Sequence, residues 1–97
     1  MPRTVKIDPE VQAVARITVT TMFRVYMAGS RVGFRELAER LNEAGIEENE
    51  RNLRNKIARG EMQASFLLIC LRLLGCDKIP LEGLPLFLSD IRREPKN

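Results

Sequence analysis

The chain has 97 residues, 44% of them apolar and 30% charged, which is the size and composition of one folded domain and not of a disordered tail. It contains no His and no Trp, which excludes His-based triads, imidazole bases and almost all zinc sites, and leaves little for aromatic stacking on single-stranded nucleic acid. The net charge is only +3, but twelve of the sixteen cations are Arg, the side chain suited to bidentate contact with phosphate or a guanine edge.

Met1-Pro2-Arg3 leads into a polar segment, so no signal peptide is expected. Asp8-Pro9-Glu10 marks a helix start: Asp caps, Pro fits the first helical position, and Glu complements the positive end of the dipole. No Gly or Pro then interrupts the chain before Gly29. Val11, Val14/Ala15, Thr18, Met22 and Val25/Tyr26 recur at three- and four-residue steps and predict an amphipathic helix. Its β-branched residues lower its intrinsic propensity, so it depends on tertiary packing. Gly29-Ser30 reads as its stop.

After a turn at Gly33, residues 34–44 form a second helix. Phe34, Leu37, Ala38 and Leu41 make its apolar face, and Glu36 with Arg40 makes a favourable i,i+4 pair. Gly45 suits a left-handed stop. Asn49 is the N-cap of a third helix running to about Ala58, with Leu53 and Ile57 as its only apolar residues. Arg59-Gly60 ends it. A fourth helix, from Gln63 or Ala64 to Leu74, is apolar on nearly all sides. That pattern predicts the centre of a core, with a dimer interface as the alternative.

The run from Phe66 to Leu71 is the longest apolar stretch, far short of the about 20 residues a membrane span needs. Cys70 and Cys76 fit two free thiols in a reducing, cytoplasmic setting better than a disulfide or a metal site. Beyond Gly75, Leu84, Phe87/Leu88 and Ile91 predict a short fifth helix. Residues 1–75 are thus expected to form one helical domain, and 76–97 an extension packing on the core or on a dimer partner.

The third helix carries the chemistry. Between Arg51 and Gly60 it offers three Arg, one Lys and two Asn and nothing acidic. Arg serves phosphates and guanine O6/N7, Asn serves adenine N6/N7, and a helix with this face fits the major groove. Arg51, Asn52, Arg54 and Asn55 are the expected base readers. Arg31, Arg35, Lys56 and Arg59 are the expected phosphate contacts. Glu47, Glu48 and Glu50 would oppose DNA unless they cap the helix or pair with neighbouring Arg.

The segment Arg35-Glu36-Leu37-Ala38-Glu39-Arg40-Leu41, with Gly45-Ile46, Leu53, Arg59-Gly60 and Phe66 to Gly75, resembles the λ-repressor/Cro-type helix-turn-helix domains. Phe34 stands where those domains usually have Gln, and the stretch from Leu41 to Leu53 is longer than their turn. Phe34 to Ala38 with Asn52 to Gly60 more closely resembles a small bacterial family known only as a domain of unknown function, over about residues 14–75. The resemblance implies a compact all-α fold of four or five helices with a helix-turn-helix. By register on Leu53, it implies Glu50, Arg51, Asn52 and Asn55 as base-facing.

The expected function is sequence-specific binding of double-stranded DNA by a transcriptional regulator, as a homodimer. The alternative is a protein-interaction adaptor or antitoxin-like partner on the same fold. No catalytic constellation, Gly-rich phosphate loop or carboxylate cluster suggests an enzyme or a small-molecule cofactor.

Overall fold

The computed structural model describes residues 8–79, which form four α-helices and, among the described residues, no strand. They are α1 (Pro9–Ser30), α2 (Phe34–Glu43), α3 (Glu50–Arg59) and α4 (Ala64–Leu73). The expected fifth helix, at 84–91, lies outside the described residues.

Capping chemistry sets most of the boundaries. Asp8 accepts from the Glu10 N–H at 2.8 Å and Pro9 opens α1. Asn49 accepts from the Asn52 N–H at 2.8 Å and starts α3, satisfying one of the unpaired amides of a helix start. Gly45 closes α2 with φ +94°, and the Ile46 N–H returns to the Leu41 carbonyl at 2.8 Å, a Schellman ending. Gly75 ends α4 in the same way.

The end of α1 falls at Ser30, within the expected Gly29-Ser30 stop, but the left-handed residue there is not a glycine. The helix runs through Gly29 and Ser30, and Arg31 caps it at φ 59°. Val32 explains the position: it is buried, and its N–H reaches the Met27 carbonyl at 3.0 Å. The chain must reverse just before Val32 to seat it, whatever residue stands there.

The core draws on every helix: Phe23 and Met27 from α1, Leu37, Ala38 and Leu41 from α2, Leu53 and Ile57 from α3, Cys70 and Leu71 from α4. Helix α3 packs against α1 and α2, and α4 packs against α2. The buried stripe of α1 is centred on Phe23 and Met27, with Val19, Met22 and Tyr26 beside it. Of the Val25/Tyr26 pair expected on the inner face, Tyr26 packs against the core and Val25 is 60% exposed. Helix α4 is likewise not enclosed, since Leu68 and Ile69 are exposed.

Cys70 is fully buried. Burial pushes its thiol up to about 12, the Glu48 carboxylate adds to this, and the Lys56 ammonium opposes it. A raised thiol pKa stabilises the fold fully below the unfolded value near 9, and that contribution is lost as pH rises toward 12. At pH 8 iodoacetamide should therefore label the half-buried Cys76 of the native protein and reach Cys70 only through opening of the fold. Equal native-state rates at the two thiols, measured by mass spectrometry, would show that the core around α4 is open.

Candidate nucleic-acid interface

Helix α3 has one inward line and one outward line. Leu53 and Ile57, 0% and 1% exposed, root it in the core. At about 100° per residue, Arg51, Asn55 and Arg59 fall together on the opposite side, with Asn52 next to them. All four are exposed. Among the described residues, no carboxylate lies within 4 Å of Arg51 or Arg59. Arg51, Asn55, Arg54, Asn49 and Glu50 line an open groove of about 620 Å³ at the N-terminal half of the helix.

Arg54 is partly engaged. It pairs with Glu50 at 2.7 Å, and its guanidinium lies 4.8 Å above the Phe34 ring. Both members of the ion pair are about half exposed, so water and salt screen it, and such pairs contribute under about 1 kcal/mol. A phosphate or base edge can displace Glu50 at small cost. Phe34 holds the guanidinium of Arg54 over the start of α2.

Lys56 is the exception among the expected phosphate contacts. It lies between the inward and outward lines, and its ammonium sits 2.7 Å from Glu48, whose side chain is 3% exposed. It also lies 4.6 Å above the Phe66 ring. Glu48 accepts a second bond from the Asn49 N–H at 3.2 Å, and its own N–H donates to Asn42 Oδ1 at 2.9 Å. This cluster fastens the connection between α2 and α3 to the underside of α3. Lys56 therefore positions the helix and does not stand on its outer face.

The three glutamates before and within α3 divide their tasks. Glu48 is buried under the helix, Glu50 pairs with Arg54, and Glu47 is exposed. Arg35, exposed at the start of α2, is only loosely associated with Glu39 at 4.0 Å. Arg31 is exposed at the left-handed end of α1. Arg59 stands at the far end of α3, where Thr20 of α1 donates to the Ile57 carbonyl at 2.6 Å.

The family model for a domain of unknown function, DUF6471, matches residues 15–79, a span that includes all of α2, α3 and α4. The chain belongs to the DUF6471 family. No curated protein matches the sequence, and no solved structure matches it either.

In this DUF6471 domain, three supporting residues escaped the sequence reading: Phe34 as a platform for Arg54, Glu48 as the partner of Lys56, and Thr20 as the cap of α3. A signal for Lys56 existed. It stands three residues after Leu53, on the flank of the inward line, where a long side chain is drawn toward the core. Among the described residues, no group of three His, Cys, Asp or Glu could hold a metal ion, and no helix is long and apolar enough to cross a membrane.

Proposed function

We propose that this chain binds double-stranded DNA by inserting α3 into the major groove, with α2 and α3 acting as a helix-turn-helix of the λ-repressor/Cro type. The observation that carries this reading is the outward row of α3: Arg51, Asn52, Asn55 and Arg59, exposed on a helix whose opposite side is fixed by Leu53 and Ile57. Guanidinium and carboxamide groups on a rigid rod are the means of reading guanine and adenine edges. Glu48 and Glu50, the carboxylates that would repel phosphate, are each matched by a cation.

Arg51, Asn52 and Asn55 read bases in this account, with Arg54 joining them once it leaves Glu50. Arg31, Arg35 and Arg59 contact phosphates and supply most of the affinity. One such helix contacts few base pairs, so a cytoplasmic transcriptional regulator of this kind acts as a homodimer on half-sites about 10 base pairs apart.

Selection from a random duplex library at fixed salt tests this directly. Wild type should yield a consensus, and Arg51→Ala should lose preference at one base pair, costing about 1–3 kcal/mol there. Equal affinity of both proteins for every sequence would refute base reading by α3.

A second reading is favoured by one observation. Leu68 and Ile69 on α4, and Ile17 and Val25 on α1, are large apolar side chains left exposed. An adaptor or antitoxin-like protein would use such faces to hold a protein partner. It would bind duplex DNA weakly even at low salt, which separates the two readings.

A further inference from the structure

We propose that the groove between α1 and the C-terminal end of α3 is a second DNA contact, which grips a sugar–phosphate strand between Arg24 and Arg59. The proposal rests on the DNA-binding reading of α3 and extends it to a helix that reading does not use.

The groove follows from how the two helices meet. Gly60 lies so close to the Arg16 backbone that no Cβ fits there. Thr20 hydrogen-bonds the Ile57 carbonyl at 2.6 Å. Small groups at the contact bring the helix axes together, and longer side chains on either side wall a groove of about 410 Å³. On α1, Arg16, Ile17, Thr20, Thr21 and Arg24 recur at three- and four-residue spacings, so they share one face. Arg59 lines the opposite wall.

Its charge suits a phosphate strand. Arg16 is neutralised by Glu61 at 2.6 Å. Arg24 and Arg59 have no carboxylate within 4 Å among the described residues, and both are exposed. Two cationic side chains, Arg24 on α1 and Arg59 on α3, therefore line the groove, together with the exposed Thr21 of the α1 wall. The C-terminal end of the α3 dipole opposes an anion with about half an elementary charge. The Thr20 hydroxyl, directed at the Ile57 carbonyl, offsets part of that, and two full cationic charges outweigh the rest. Ile17 and Ala13 supply apolar surface for deoxyribose.

Continuity argues for the same ligand. Arg59 belongs both to the groove and to the outward row of α3. From Arg51 to Arg59 that row covers about 12 Å. Arg51 and Asn55 face the bases in that reading, while Arg59, at the C-terminal end of the row, is its phosphate contact and also lines the groove, so the strand that Arg59 touches continues into it.

The test is the salt dependence of binding to a fluorescent 25-base-pair duplex of arbitrary sequence, by anisotropy between 50 and 300 mM KCl. Arg24→Gln should lower the log–log slope by about 1 and weaken binding about five- to tenfold at 100 mM salt. Thr21→Glu, which places a carboxylate in the groove, should weaken it further. Arg72→Gln removes the same charge from the exposed side of α4 and should leave the slope unchanged. If Arg24→Gln keeps the wild-type slope, or falls only as far as Arg72→Gln, the groove is no DNA contact while the α3 reading stands. If wild type fails to bind duplex at 50 mM salt, the α3 reading falls and this proposal with it.

Discussion

Gly60→Ala should cost about 3–5 kcal/mol of stability, a large share of the total for a domain this small. Two separate causes add. Gly60 sits at φ +69°, where an L-residue is penalised by about 1–2 kcal/mol. An added Cβ would also overlap the carbonyl, carbon and Cα of Arg16, all backbone atoms that no rotamer change can move. Helix α1 must then withdraw from α3, and overpacking of this kind costs about 1–3 kcal/mol. Withdrawal also strains the Thr20 to Ile57 hydrogen bond, worth about 0.5–1.5 kcal/mol. Gly45→Ala is the control. Gly45 is also left-handed, at φ +94°, but nothing lies within 4 Å of a Cβ there, so only the conformational cost of about 1–2 kcal/mol applies. Urea denaturation of both variants gives the difference. Equal losses would mean that the approach of α1 to α3 contributes nothing to stability.

That approach also shows where the sequence was legible and where it was not. Helix starts and most stops are local chemistry. Asp8-Pro9, Asn49, Gly45, Gly60 and Gly75 each act within one turn, and each stands at the boundary it marks. The outward side of α3 was equally readable, because Leu53 and Ile57 alone define the inward side of an otherwise polar helix. Faces of the more apolar helices were not. On α1 apolar residues stand all around the axis, so periodicity finds Met22 but cannot choose between Val25 and Tyr26 or single out Phe23 and Met27. Contact with α3 makes that choice. On α4 the same composition left a core centre and a dimer interface both open; its main packing partner is α2 and Leu68 remains 54% exposed. The stop of α1 at Ser30 was legible but its left-handed cap was not: glycine permits such a turn, but the burial of Val32 places it at Arg31.

Lys56 and Glu48 lead to the second large effect, and it is asymmetric. Lys56→Met should destabilise by about 2–4 kcal/mol, whereas Glu48→Gln should cost about 1 kcal/mol or less. The Lys56 side chain is 37% exposed and the Glu48 side chain 3%. Removing the lysine charge strands a carboxylate out of water, with the Asn49 N–H as its remaining donor. An uncompensated buried charge costs about 3–5 kcal/mol, reduced here because the lysine end of the pair is open to solvent. Removing the glutamate charge leaves an ammonium that can turn toward water on its long stem and stay over Phe66. The amide of Gln can still accept from the Asn49 N–H. The double variant Lys56→Met/Glu48→Gln should recover much of the loss, because no charge is then left unpaired. A thermodynamic cycle over the four proteins reads this coupling. Losses that simply add would show that the two side chains do not act as a pair, and that α3 is held to its connection by apolar packing alone. The functional consequence is separable. Glu48→Gln leaves Arg51, Asn52 and Asn55 untouched, so it should retain duplex binding. Lys56→Met should lose binding only in proportion to the fraction unfolded, because Lys56 sets the attitude of α3 from beneath.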